Sequence, residues 1–479
     1  MARYFRYNSL DDLREDAAER GLEIPLSEDF APLFEPIQIG RLRAGNRLVV
    51  HPMEGCDGTL DGRPDELTFR RWERFGAGGA KIIWGEATAV VPEGRGNPRQ
   101  LCIHEGSAAA IAEMLKRCRR AHREACGSDD DLVVGLQLTH SGRYCCQRPL
   151  PAFHDPLLDP LTIADKSTGR PVDAGYPLLS DDGLKRLEDA YVAAARLAFS
   201  IGFDFVDLKQ CHRYLLSELL AAKTRPGPYG GSFENRTRLV RGVIGRVRDE
   251  VPGAVVCSRI NAYDGIPYRA NSQTKVGEPA AFTLPFQSGF GTDERDPLRE
   301  DLAEPRQLVG LLRQLGVPMV SISMGNPYAN MHVVRPFEYP PVDGYETPEH
   351  PLEGVARHFR IATALQAAVR DMVLVGSGYS WLQAFFPHAA AANVQAGRVA
   401  AVGVGRAALP HPDFARALRE NSGLDSRRVC RTFSYCTALM RAKQHELGQF
   451  PTGCPPFDKE VYGPIWKEML ATQGQKKES

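Results

Sequence analysis

Eight short apolar runs, separated by stretches of helical periodicity, restrict what this chain can fold into more than any other feature. They fall at 47–52, 81–86, 133–138, 203–208, 254–260, 319–323, 372–376 and 400–404. Most are continuous rather than alternating in hydrophobicity, the mark of parallel strands buried on both faces. Between them, residues 108–124, 180–201, 235–250 and 353–370 carry apolar side chains at helical spacing, the second stretch opened by Ser180-Asp181-Asp182. Eight such units in one chain predict an α/β protein, a (β/α)8 TIM barrel with its helices outside.

The barrel accounts for residues 35–415, more than the roughly 250 of a minimal one. The excess lies in two connections, 144–177 after the third strand and 263–305 after the fifth, both rich in Pro, Gly, Asp and Ser. Both leave the strand ends where barrel enzymes keep their chemistry. Residues 1–34 read as an amphipathic N-terminal arm. Residues 416–479 read as a helical C-terminal extension, its last charged stretch, 473–479, expected to fray. No internal repeat is visible.

Composition narrows the function classes. Lys plus Arg and Asp plus Glu both number 59, so the net charge is zero, which argues against bulk nucleic-acid binding or a polybasic membrane surface. No apolar run is long enough to span a bilayer, and the first residues lack a signal-peptide core. The 11 cysteines are odd in number and scattered, unlike a disulfide framework, so a reducing cytoplasm is the expected location. The expected partner is a small-molecule substrate, not nucleic acid or membrane; self-association stays open.

Chemistry-bearing residues gather at the predicted strand ends. Pro52 stops the first strand, and Met53 and Glu54 follow it. Ala87, after the second, is small enough for a planar ring to approach. Gln137 and His140 end the third; an inward Gln is costly unless hydrogen-bonded, and its amide offers both donor and acceptor. Lys209, His212 and Tyr214 lie within six residues after the fourth strand, a density of titratable groups that points to catalysis. Arg259 ends the fifth and needs an anionic partner. The turn-rich stretch 225–236 feeds a helix capped through Ser232 or Asn235. Gly325, Gly376, Ser377, Gly405 and Arg406 follow the last three strands, where barrels commonly bind phosphate through backbone N–H groups. Gly403-x-Gly405-x-x-Ala408 is not a dinucleotide fingerprint, because Pro410 and Pro412 follow at once.

The order Pro52-Met53, Glu86-Ala-Thr-Ala-Val-x-Pro-x-Gly-Arg95, Gln137-Leu-x-His140-x-Gly-Arg143, His212-x-Tyr214-Leu, Tyr229-Gly-Gly-Ser-x-Glu-Asn-Arg236, Arg259 and Gly405-Arg406 resembles the Old Yellow Enzyme family of flavin oxidoreductases over about residues 35–415. The resemblance implies an FMN-binding (β/α)8 barrel that takes hydride from NADH or NADPH and passes it through flavin N5 to an activated alkene, an ene-reductase. By position, Pro52, Met53, Glu54, Ala87 and Gln137 would line the isoalloxazine. Arg259 would sit by the ring edge that gathers negative charge on reduction. Gly325, Gly376, Ser377, Gly405 and Arg406 would hold the phosphate, and Tyr214 matches the family's proton donor.

Three departures bear on the substrate. Lys209 and His212 stand where the family has two histidines, or histidine and asparagine; an ammonium favours an anionic or phenolic oxygen. Glu54 replaces a small residue beside the flavin, where it can oppose reduction, raise its own pKa or pair with Lys209. Cys56 replaces a tyrosine. Longer relatives, among them dienoyl-CoA reductases and trimethylamine dehydrogenase, add an iron–sulfur cluster and a second nucleotide-binding domain, which this chain is too short to hold. Cys430, Cys436 and Cys454 have five and seventeen residues between them, unlike the closely spaced four-thiolate iron–sulfur motif. With His445 they could make a zinc set, but buried free cysteines in a packed tail, with no metal, is the expectation. Two further readings remain: the same flavin oxidising an amine or other substrate, with electrons passed to a carrier, and a non-redox sensor or scaffold.

Overall fold

The computed structural model describes residues 3–421 and 423–475. Met1, Ala2 and 476–479, the end of the segment expected to fray, lie outside these described residues. Each of the eight apolar runs is a strand: β1 (Leu48–Val50), β2 (Ile82–Ala89), β3 (Val133–Thr139), β4 (Phe205–Gln210), β5 (Val256–Asn261), β6 (Met319–Ser323), β7 (Val373–Gly376) and β8 (Ala401–Val404). They form a closed parallel barrel in which each strand lies beside its neighbour in sequence. The ring closes where Val402 pairs with Leu48 and Val404 with Val50. Three C-terminal boundaries differ most from expectation: β1 stops at Val50, β2 runs on to Ala89, and β4 runs on through Lys209 and Gln210, because the polar pair is held in register against β5, Lys209 opposite Arg259.

Strand periodicity sorts the core into two layers. Val49, Ile82, Trp84, Phe205, Met319 and Val375 fill the barrel interior, joined by Ile37, Ile39 and Ala44 of a two-stranded antiparallel pair at its N-terminal end. Leu48, Val50, Ile83, Val134, Leu136 and Leu208 face outward onto the helices. The four expected helices are Glu105–Cys126, Asp181–Ser200, Arg238–Glu250 and Pro351–Ala368. Helices Glu66–Gly76, Ala303–Gln314 and Phe386–Gln395 complete the outer ring. Ser180 and Ser232 cap their helices as expected, accepting from the N–H groups of Gly183 (3.1 Å) and Asn235 (3.2 Å).

The N-terminal segment carries helix Leu10–Glu19, closed by a Ser9/Asp12 capping box. After β8 come helices Phe414–Asn421, Tyr435–Arg441 and Lys459–Gln475. Among the described residues no helix is long and apolar enough to cross a membrane.

Candidate active site

Register alone brings the chemistry together. On β4 the inward positions are Phe205, Asp207 and Lys209, at the spacing of two that a pleated strand requires. Gln137 of β3 stands opposite Asp207, and Arg259 of β5 lies between Lys209 and Ser321 of β6. The upper barrel layer is therefore polar where the lower one is aromatic.

Asp207, which the sequence did not single out, is the hub of that layer. Its carboxylate accepts from Trp84 Nε1 (2.7 Å), Gln137 Nε2 (2.6 Å) and the Arg259 backbone N–H (2.7 Å). Burial pushes its carboxyl up to about 6, against the pull of these donors. Gln137 is thereby fixed by one N–H, leaving its carbonyl oxygen for whatever lies above.

Above this floor is a cavity at the C-terminal mouth of the barrel. Pro52, Met53, Glu54, Ala87, Gln137, Lys209, His212, Tyr214, Arg259, Ser377, Gly405 and Arg406 all line it. The site residues proposed from sequence thus share one chamber, with two exceptions. Gly325 donates its N–H to the Tyr263 carbonyl (2.7 Å), and its carbonyl accepts from Asn261 Nδ2 (2.8 Å). Gly376 stays within β7, paired with Val402. Neither is among the lining residues. Ser377 lines the chamber, but its hydroxyl is committed to the Ile322 carbonyl (2.6 Å). His140 is buried below, its Nδ1 accepting the Gly142 N–H (3.1 Å).

His212 and Arg213 both adopt left-handed backbone, φ 65° and 61°, a strain that needs outside support. Asn261 accepts the His212 N–H (3.1 Å). Arg213 is clamped by Asp155 (2.6 Å) and Asp264 (3.0 Å). The turn carries the His212 ring to Ser323 Oγ, 2.9 Å from Nε2. Burial and the cations Arg259, Lys209 and Arg335 hold that imidazole neutral, well below its ordinary pKa. Lys209 Nζ stands 3.7 Å from the centre of the Tyr214 ring, a cation–π contact, and burial lowers its pKa. The Tyr214 hydroxyl meets that of Tyr328 at 3.1 Å. Tyr144 packs against both rings, and its hydroxyl accepts from Asn326 (2.6 Å).

Glu54 faces this group. Asn97 donates to its carboxylate; burial raises its pKa to about 7, with Lys209 pulling down and Glu86 pushing up. Beneath it Arg71 is buried between Asp57 and Glu86, and Glu86 accepts the Gly55 N–H (3.3 Å).

The far end of the chamber is cationic. Arg335 and Arg406 line it with Gly378, Ser380 and Gly405. Arg335 Nε and Nη2 and Arg406 Nη1 are buried without a hydrogen-bond partner among the described residues. Arg406 Nη2 donates to the Pro336 carbonyl (2.7 Å). Burial and the neighbouring Arg406 and Arg441 depress Arg335 to about 9. Buried guanidinium donors left unpaired are costly, and a phosphate would satisfy them. The floor is flat for a related reason: a Cβ on Gly403 would overlap the His51 imidazole, and one on Gly405 would come 3.0 Å from Met53 Sδ. The donor set and the flat floor both fit FMN.

Sequence reasoning missed His51, Tyr144, Tyr328, Arg335 and Arg441, which line this chamber or the space joined to it. The four beyond His51 sit on connections or, for Arg441, at the end of a short tail helix, and nothing in the sequence ties them to the strand ends. All 11 cysteines are free. Cys430, Cys436 and Cys454 border an apolar cavity behind Arg406, whereas His445 packs edge-on against Phe450. Among the described residues no group of three or more His, Cys, Asp or Glu side chains is placed to hold a metal.

Residues 32–282 match the NADH:flavin oxidoreductase / NADH oxidase family. An NADH:flavin oxidoreductase of Gibberella zeae is 29% identical over 269 residues, 53% of this chain and 61% of that protein. An NADPH dehydrogenase of Clostridium acetobutylicum is 28% identical over 244 residues, 50% of this chain and 66% of that protein. The chain thus spans about three fifths to two thirds of these relatives' length. Among solved structures, 2-naphthoyl-CoA reductase in complex with 2-naphthoyl-CoA superposes with a TM-score of 0.64 at 16% identity, over 91% of this chain and 58% of that one. The Old Yellow Enzyme homologue of Zymomonas mobilis gives 0.57 at 21% identity, over 84% and 96%. At these identities the structures share the fold.

Proposed function

This chain belongs to the NADH:flavin oxidoreductase / NADH oxidase family, the Old Yellow Enzyme-like flavin oxidoreductases, and from that premise we propose that it is an FMN-dependent ene-reductase that reduces an activated alkene with NADH or NADPH. The observation that carries the reading is the convergence of Gln137, Lys209, His212, Tyr214 and Arg259 on one chamber whose far end holds Arg335 and Arg406.

Bound FMN supplies two-electron chemistry, accepting hydride from the nicotinamide and returning it to an electron-poor carbon. Arg335 and Arg406 would take its phosphate, Gln137 and Arg259 the polar edges of its ring, and the Pro52–Met53 backbone its flat face. Lys209 holds a carbonyl or phenolate oxygen of the substrate, and its fixed charge stabilises the enolate that develops there. His212, neutral and tied to Ser323, offers a second polar contact. Tyr214 delivers a proton to the α-carbon. Tyr328, 43% exposed and hydrogen-bonded to Tyr214, returns one from solvent. Holding the alkene at contact distance from the ring supplies much of the rate.

Anaerobic mixing of the FMN-loaded protein with NADH or NADPH, then with candidate enones, tests this. Bleaching by the nicotinamide and recovery by an alkene are expected. Tyr214→Phe should slow recovery by roughly 10²–10⁴-fold, and Lys209→Ala should raise KM. Wild-type recovery in both variants overturns the assigned roles. A second reading, oxidation of an amine, draws on the Tyr144, Tyr214 and Tyr328 rings, which suit a cation; Lys209 opposes it. Bleaching by an amine alone would favour it.

A further inference from the structure

A second cavity adjoins the reaction chamber, and the two share Glu54, Tyr214, Tyr328, Met440 and Arg441 as lining. The two long connections give it Tyr144, Leu158, Leu161, Ile163 and Tyr268, all apolar or aromatic, and the segment after β6 adds Met331 and Tyr345. Leu161 and Ile163 remain 43% and 37% exposed, apolar surface that a small enone confined to the inner chamber would leave in water.

The rim is basic. Arg269 and Lys443 line the outer chamber and are exposed; neither side chain makes a hydrogen bond to a side chain or an ion pair among the described residues. Glu278, opposite Arg269 in the antiparallel pair, instead accepts from Asn271 (2.7 Å). The third rim cation, Arg441, is already paired with Asp343. Two positive charges without an ion-pair partner among the described residues therefore line the outer chamber, which Lys209 does not line.

We propose that the substrate is an extended conjugated carbonyl compound: its reacting end lies in the inner chamber, the rest of the molecule runs along the outer one, and its far end carries an anionic group met by Arg269 and Lys443. This rests on the ene-reductase reading and specifies its substrate class. The anion is either a carboxylate of the molecule itself or a phosphate on a carrier joined through the carbonyl.

The test uses the FMN-loaded enzyme with four alkenes: cyclohexenone, para-carboxybenzylideneacetone, its methyl ester, and cinnamoyl phosphopantetheine. Two rim cations should favour the carboxylate over its ester by roughly tenfold in kcat/KM, carried in KM and weakened by salt. Arg269→Gln with Lys443→Gln, both exposed, should erase that preference and leave cyclohexenone turnover unchanged. A preference for the phosphorylated thioester alone, erased by the same double variant, assigns the anion to a carrier. Equal rates for acid and ester and no advantage for the thioester, or a preference that survives the double variant, overturns the proposal while the ene-reductase reading stands. Should no alkene be reduced, that reading fails instead. Calorimetric binding of the saturated acid and its methyl ester then decides the outer chamber by itself: tighter binding of the acid, lost in the double variant, supports it, and equal binding overturns it.

Discussion

Replacing Glu54 by Gln should change how the stability of the FMN-free protein depends on pH, and by an amount the structure sets. Glu54 lies where the two chambers meet, facing Lys209, Tyr214, Tyr328, Cys56 and Asn97, with Glu86 and Arg71 beneath. Burial raises its carboxyl from 4.5 to about 7. A carboxyl raised in the folded state opposes folding once it must ionise, so stability falls as pH rises through the window between the two values. Between pH 5 and pH 8 the wild type should lose about 2.5 kcal/mol more than the Gln variant; water in the chamber screens part of this and brings the expectation to roughly 1–2.5 kcal/mol. The variant also strips Lys209 of a nearby carboxylate. That attraction acts only once Glu54 ionises, so it is lost at pH 8 and not at pH 5, and it is already contained in the value of about 7, which Lys209 pulls down. Urea unfolding of both proteins at the two pH values gives the four free energies. Parallel pH profiles, within about 0.5 kcal/mol, would refute the burial and charge balance assigned to Glu54.

Arg335→Met should act with opposite signs on the two forms of the protein. It removes a buried, unpaired cation crowded by Arg406 and Arg441, so the FMN-free protein melts higher, while FMN binds roughly 10–100-fold more weakly because a charged hydrogen bond is lost; melting curves with and without FMN read both. Gly403→Ala puts a methyl into the His51 ring and should cost about 1–3 kcal/mol in urea unfolding; a neutral result would mean His51 turns away freely. Asp207→Asn cannot accept from all three N–H groups that meet at Asp207; a loss of about 1–3 kcal/mol with reduced FMN retention is expected, measured by unfolding and by flavin released on dialysis.

The barrel was legible because its strands are buried on both faces, so each of the eight appears as an apolar run whatever its neighbours do. The end of β4 was not: Lys209 and Gln210 look like loop residues, and only their pairing with β5 keeps them in the strand. The inward spacing Phe205, Asp207, Lys209 was there to be read, yet Asp207 passed unnoticed because a carboxylate in a strand announces no role until Trp84 and Gln137 are known to meet it. Tyr328 and Arg335 belong to a connection without periodicity and Arg441 ends a short helix of the tail, and their convergence depends on how these segments cross the barrel mouth. The glycines after β6 and β7 misled for the converse reason. Their spacing suits phosphate binding, but Gly325 spends its N–H on Tyr263, and the unsatisfied donors belong to side chains instead.

Thr437, Met440 and Arg441, from helix Tyr435–Arg441, line the same chamber as Pro52 and Met53. The chain must therefore have left the ribosome past residue 441 before a ligand in that chamber can be enclosed. A shortened protein ending just after β8, however well its strands closed, would lack the part of the chamber wall that Thr437, Met440 and Arg441 supply.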